Sequence, residues 1–123
     1  MGESCRPRKA LFLGADFSTI IATMNLPFLV KDINDTAEFG TSSYPIHLTA
    51  FDDTLLFSAY DQSSGRELWK SDGTSAGTVL VSDMRPGFNG TFPMDLTPVG
   101  STLYFDAHDG SAGRELWKSD GTA

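Results

Sequence analysis

One cysteine, Cys5, is the only thiol in the sequence, so the chain closes no internal disulfide and builds no cysteine-rich zinc site. Basic residues are also few: nine Lys and Arg stand against sixteen Asp and Glu, a formal charge of −7. Nucleic-acid backbones are held by clustered Lys and Arg, so no nucleic-acid partner is expected. The acidity serves solubility. Long apolar runs are missing too. Nothing approaches the roughly 18 residues of a membrane helix, and no transmembrane span is expected. Twelve glycines and six prolines, dispersed along the chain, exclude long helices. Disorder is not the default reading either, because 11% aromatic residues, nine of them Phe, are ample for burial.

What is present is repetition. The ten residues Gly65 to Thr74, GRELWKSDGT, return letter for letter as Gly113 to Thr122, an offset of 48. Internal repetition decides architecture before other signals are weighed. The same offset aligns Pro45 with Pro93, Leu48 with Leu96, Leu55 with Leu103, Phe57 with Phe105, Ala59 with Ala107, and Asp61 with Asp109. Upstream, Leu29-Val30-Lys31-Asp32 resembles Leu80-Val81-Ser82-Asp83 at a spacing of 51, so the first copy carries an insertion. The Thr-, Ser- and Gly-containing stretch from Asn34 to Tyr44 is where a loop absorbs it. The organisation is therefore a first unit over 27–78 and a second over 79–123, preceded by residues 1–26 outside the register. Arg6, Arg8 and Lys9 ahead of Ala10 to Ala15 imitate a signal peptide, but Asp16 cuts the apolar run short. Residues 1–26 read as an irregular or weakly signal-like leader.

Each unit holds short apolar or alternating runs between turn formers. In the second they are Thr78 to Met84, Met94 to Val99, Thr102 to His108 and Arg114 to Ser119. Asn89-Gly90, Gly100-Ser101, Asp109-Gly110 and Asp120-Gly121 supply the turns. Alternation puts Leu103, Phe105 and Ala107 on one face of the third run, with Tyr104, Asp106 and His108 opposite. Apolar residues on both faces suit a sheet packed between neighbours. The expected fold is all-β, with tandem four-stranded antiparallel units of β-propeller-blade type and about 48 residues each. Elongated stacks of β-units are the competing geometry. Two units cannot close a ring, which normally takes at least four blades. Either the array continues or several chains complete it, and the first is expected.

The run Glu67-Leu68-Trp69-Lys70-Ser71-Asp72-Gly73-Thr74, then Ala76-Gly77-Thr78, resembles the ELWxxDGT repeat family. Leu80-Val81, Asp83, Pro86-Gly87, Leu96-Thr97, Val99-Gly100, Leu103-Tyr104-Phe105 and Asp109-Gly110 continue the likeness, which covers Phe28 to Ala123. Its signature falls on Glu67, Leu68, Trp69, Asp72, Gly73 and Thr74, and again on Glu115, Leu116, Trp117, Asp120, Gly121 and Thr122. The resemblance implies a large bacterial protein, secreted or at the cell surface, with many tandem propeller-like copies and no general enzymatic activity.

Candidate sites are weighed against structural roles. Gly73-Thr74-Ser75-Ala76-Gly77 matches the G-x-S-x-G nucleophile elbow, but a strand-like run follows where the chemistry needs a helix. Ala123 stands where the second copy would need its serine. The glycines also lack the Lys of a phosphate loop. Asp61, Glu67, Asp106, Asp109 and Glu115 are candidate calcium ligands, since hard cations want several converging carboxylates; turn capping is the alternative. Trp69 and Trp117 suit either glycan stacking or packing, and their recurrence favours packing. His47 and His108 are not repeat-equivalent and form no metal pair. Asn34 and Asn89 head glycosylation sequons of the kind chance produces. No pair of carboxylates is singled out as the acid and base of a glycosidase.

The expected role is a non-catalytic binding or scaffolding segment with further copies of the repeat as partners, and with a glycan or protein ligand on its loops. No cofactor is expected apart from calcium. The alternatives are part of a propeller hydrolase completed by other blades, and a calcium-stabilised adhesive array.

Overall fold

The computed structural model describes residues 26–35 and 41–123. The expected leader, residues 1–26, lies outside the described residues except for Leu26, as does the middle of the expected insertion, residues 36–40. Among the described residues the chain is all-β. It runs β1 (Ile46–Phe51), β2 (Thr54–Asp61), β3 (Gly65–Ser71), β4 (Val79–Ser82), β5 (Met94–Val99), β6 (Thr102–His108) and β7 (Arg114–Ser119). These make two antiparallel sheets ordered β1-β2-β3-β4 and β5-β6-β7. Each strand pairs with its sequence neighbour, as short turns dictate.

The turns are set by residues that tolerate or need a left-handed backbone. Phe51 pairs with Thr54 across Asp52-Asp53, and Val99 with Thr102 across Gly100-Ser101. Asp52 and Gly100 take φ of 49° and 59°, which Asp and Gly reach at least cost. The entering strands carry matching irregularities. The β1 register slips between Ile46 and Thr49, with His47 at φ 57°, and β5 slips between Met94 and Thr97, with Asp95 at φ 52°. Bulges of this kind bend and twist an edge. Pro98, which has no amide hydrogen to donate, sits on edge strand β5.

Equivalent positions carry equivalent pairings. Phe57 pairs with Trp69 and Phe105 with Trp117; Ala59 pairs with Glu67 and Ala107 with Glu115. Sheet and sequence register are nevertheless out of phase by one strand. Val79–Ser82 opens the second unit in the sequence, yet it hydrogen-bonds to β3 as the last strand of the first sheet. The reason is local: Ser71 to Thr78 is a tight return, closed by a 2.7 Å hydrogen bond between the Ser71 and Thr78 hydroxyls. The segment between β4 and β5 then crosses to the second sheet. It is tied down where Thr91 N and Phe92 N both donate to Arg66 O, at 2.9 and 3.0 Å.

The sheets pack face to face. Phe51, Leu56, Leu68 and Val81 of the first bury Leu103, Phe105 and Ala107 of the second, with Met84, Leu96 and Trp117 at the margin. The alternation read from β6 is what the fold uses: its odd positions are buried and its even ones half-exposed. The first sheet is apolar on both faces. Phe57, Ala59 and Trp69 form a second cluster on its far side, with Ile33 packed against it.

The joint is tightest at Gly65. A Cβ there would lie 2.5 Å from Gly90 N and from Phe88 O, whereas a Cβ on the equivalent Gly113 would meet nothing within 4 Å. Both glycines have positive φ, 74° and 93°. Gly65→Ala and Gly113→Ala therefore share the left-handed backbone penalty of about 1–2 kcal/mol. Gly65→Ala adds an overpacking term of about 1–3 kcal/mol. Urea denaturation is expected to show Gly65→Ala as clearly the more destabilising; equal losses would contradict the close apposition.

Candidate functional site

The repeated decapeptide divides into residues that act within their own sheet and residues that act between sheets. The first class makes matching backbone and turn contacts in both copies, although Arg66 meets the Ser58 hydroxyl where Arg114 meets Asp106. Arg66 Nη1 reaches across β2 to Tyr44 O at 3.0 Å, and Arg114 Nη2 reaches Phe92 O at the same distance. Gly73 N donates to the Ser71 hydroxyl, and Gly121 N to the Ser119 hydroxyl, both at 3.0 Å. The Asp72 carboxylate accepts Thr74 N and the Thr74 hydroxyl at 2.9 and 2.6 Å, and Asp120 accepts Thr122 in the same way. These hydrogen bonds favour the charged carboxylate and hold both aspartates below the usual range. Ser-Asp-Gly-Thr is thus a self-contained turn, the side chains mimicking a backbone hydrogen bond.

The second class differs between copies. Glu67 is completely buried between β3 and the β4–β5 connection. Its Oε2 accepts the Thr91 hydroxyl at 2.6 Å, and Oε1 has no hydrogen-bond partner. Burial disfavours the anion and pushes the carboxyl up to about 7 against the opposing Thr91 bond, and Asp83 adds repulsion. Lys70 Nζ donates across the junction to Gly121 O at 3.1 Å. In the second copy, Glu115, Leu116 and Lys118 all face solvent.

The remaining candidates have their own local partners. At Asp61 burial works against ionisation, but the Ser63 and Ser64 hydroxyls and amides outweigh it and lower the carboxyl. Asp109 accepts Ser111 N and Ala112 N, each at 2.7 Å, and is lowered by them. Asp106 is bound by Arg114 Nε at 2.7 Å, and that hydrogen bond lowers it. Asp61, Glu67, Asp106, Asp109 and Glu115 are not brought together: among the described residues no three His, Cys, Asp or Glu side chains converge where they could hold an ion.

Trp69 lies in the cluster with Phe57 and Ala59, and Trp117 borders the core between the sheets, its Nε1 donating to Ala107 O at 3.2 Å. Ser75 is exposed in the loop between β3 and β4, with no helix behind it, so the elbow sequence builds no nucleophile site. His108 Nδ1 accepts Gly110 N, and His47 sits on the β1 bulge. Asn34 is buried, with Oδ1 accepting Gln62 N, while Asn89 is exposed. Asn34 also lines an open groove with Thr41, Ser42, Tyr44, Tyr60 and Arg66. No described helix is long and apolar enough to cross a membrane.

The roles of Thr91 and Gly90 at the junction were not read from the sequence, which marked Asn89-Gly90 only as a turn. A faint signal existed, since Ser43 occupies the position 48 residues before Thr91 and both place their carbonyl identically, accepting Tyr60 N and His108 N at 2.8 Å. No protein-family model, curated protein or solved structure matches the chain.

Glu67 makes stability pH-dependent with a defined sign. Its carboxyl rises from 4.5 when unfolded to about 7 when folded, so the native state holds the extra proton between those values. Its contribution is full below pH 4.5 and is lost as pH rises towards 7. Glu67→Gln keeps an acceptor for Thr91 and removes the proton. Chemical denaturation across this range is expected to show a fall in stability that the Gln variant lacks; identical profiles would contradict it.

Proposed function

We propose that the chain is a non-catalytic scaffolding segment, its two sheets being successive blade-type units of a longer array of the ELWxxDGT kind, secreted or displayed at a bacterial surface. One observation carries this reading: in the first sheet, the strand half of the decapeptide is used up by folding and by contact with the second sheet. Leu68 and Trp69 lie in opposite clusters, and Gly65, Glu67 and Lys70 meet residues 88–91 and Gly121. Verbatim repetition then serves to make each sheet fit the next.

The carboxylates support the same reading over a hydrolase. Asp61 and Asp109, and Asp72 and Asp120, are repeat-equivalent pairs occupied in capping turns. A glycosidase needs an acid and a base facing one substrate across a gap of roughly 5 to 10 Å. Side chains already holding a turn in every unit are poor choices for that work. A glycan or protein ligand would fall to the loops that vary between units, such as those around the Tyr44 and Tyr60 groove. No array closure is needed for this role, only continued stacking.

Leu68→Ala tests the reading. As a buried Leu it is expected to lose about 2–5 kcal/mol of stability, measured by denaturant unfolding. A loss within about 0.5 kcal/mol, the range of an ordinary surface substitution, would free the motif for another role and sink the proposal.

A further inference from the structure

The second sheet leaves one face uncovered, and the first sheet indicates what fits there. Leu68 on β3 is 2% exposed beneath the second sheet, while its counterpart Leu116 on β7 is 76% exposed. Phe51 and Val99, at the ends of β1 and β5, repeat the contrast at 4% and 59%. Gly65 is pressed against the backbone of residues 88–90, but Gly113 faces open space. Glu67 and Lys70 reach across the junction to Thr91 and Gly121, whereas Glu115 and Lys118 reach nothing across one and are exposed. On β3 and β7 the sequence and the pairing with the preceding strand are the same in both copies. What β3 has and β7 lacks is the edge strand β4 at its side and the sheet on top.

We propose that the outer face of β7, with the end of β5, is the seat for one further sheet of this same sequence pattern, joined in line as the second sheet is joined to the first. The proposal rests on the scaffolding reading and names its partner. In-line attachment follows from how the existing junction is made: Gly90, Thr91 and Phe92, which grip β3, belong to the segment that links the two sheets. The recognition chemistry is equally specific. The incoming unit must bring a glycine against Gly113, a hydroxyl to Glu115, a turn carbonyl to Lys118, and a Leu-x-Phe-x-Ala strand with its Trp over Leu116. Covering Leu116 removes a large apolar side chain from water, the main driving term for such docking.

The test uses the present chain and the same chain extended past Thr122 by another copy of residues 75–122, each with and without Leu116→Asp. In the present chain the substitution should move the melting temperature by no more than about 2 °C, as for a change within about 0.5 kcal/mol at an exposed site. In the extended chain it should lower it by about 4 °C or more. Equal effects in both chains, or none in either, would overturn the proposal. Hydrogen exchange gives a readout free of the variant: β7 amides should exchange at least tenfold more slowly in the full extension than in a chain extended only by another copy of residues 75–82, which restores the edge strand without the sheet, and equal exchange would overturn it. Concentration-dependent self-association of the present chain, abolished by Leu116→Asp, would assign the face to a second molecule and overturn it as well. Failure here would remove continued stacking at this face but leave the packing role of the motif in the first sheet standing, because that role is tested at Leu68, which the extension does not touch.

Discussion

The structure depends on a backbone-to-backbone contact. Gly65 and Gly90 approach so closely that neither has room for a side chain, and the crossing segment hydrogen-bonds through Thr91 N and Phe92 N to the carbonyl of Arg66. That contact sets the height of the second sheet over the first. Leu103, Phe105 and Ala107 then sit at packing distance from Leu56 and Leu68, and water is excluded from Glu67. A single methyl group at either glycine would hold the sheets apart at this edge. The apolar contacts supply the driving energy, and the glycines decide whether it can be realised.

A buried carboxyl at such a joint has two consequences. With one hydrogen bond from Thr91 and one oxygen unpartnered, Glu67 is poorly compensated as an anion, which is why its proton is retained towards neutrality. A leucine there would avoid that penalty but would offer the Thr91 hydroxyl no acceptor. The polar pair therefore favours one alignment of the sheets over sliding alternatives, a use of buried polar groups attested where register must be fixed.

Much of this was legible in the sequence. The period-2 pattern of Leu103, Phe105 and Ala107 located a strand and its buried face, and the Asp- and Gly-rich pairs located turns. The decapeptide announced the matching strand pairings of Phe57 with Trp69 and Phe105 with Trp117, and both Trp residues fell among packed side chains. Three features were hidden for physical reasons. A repeat fixes the period but not its origin, so the sequence register could not reveal that Val79–Ser82 completes the first sheet. The bulges at His47 and Asp95 need positive φ at residues that do not demand it, and only the sheet context imposes it. Glu67 and Glu115 are the same letter in the same motif, yet one is buried and one exposed, because burial comes from residues some 24 positions away. Motifs are local; junctions are not.

The central claim is that the two sheets are locked together through Glu67 and Thr91 at the glycine contact. A double-mutant cycle with Glu67→Met and Thr91→Val, read by equilibrium denaturation, tests it most directly. Each single substitution strands a buried polar partner and should destabilise, while the double variant replaces both by apolar groups and should recover most of the loss. The account predicts a coupling energy above about 0.5 kcal/mol, as for residues in contact. Additive effects, with the double variant as unstable as the two single losses together, would contradict it.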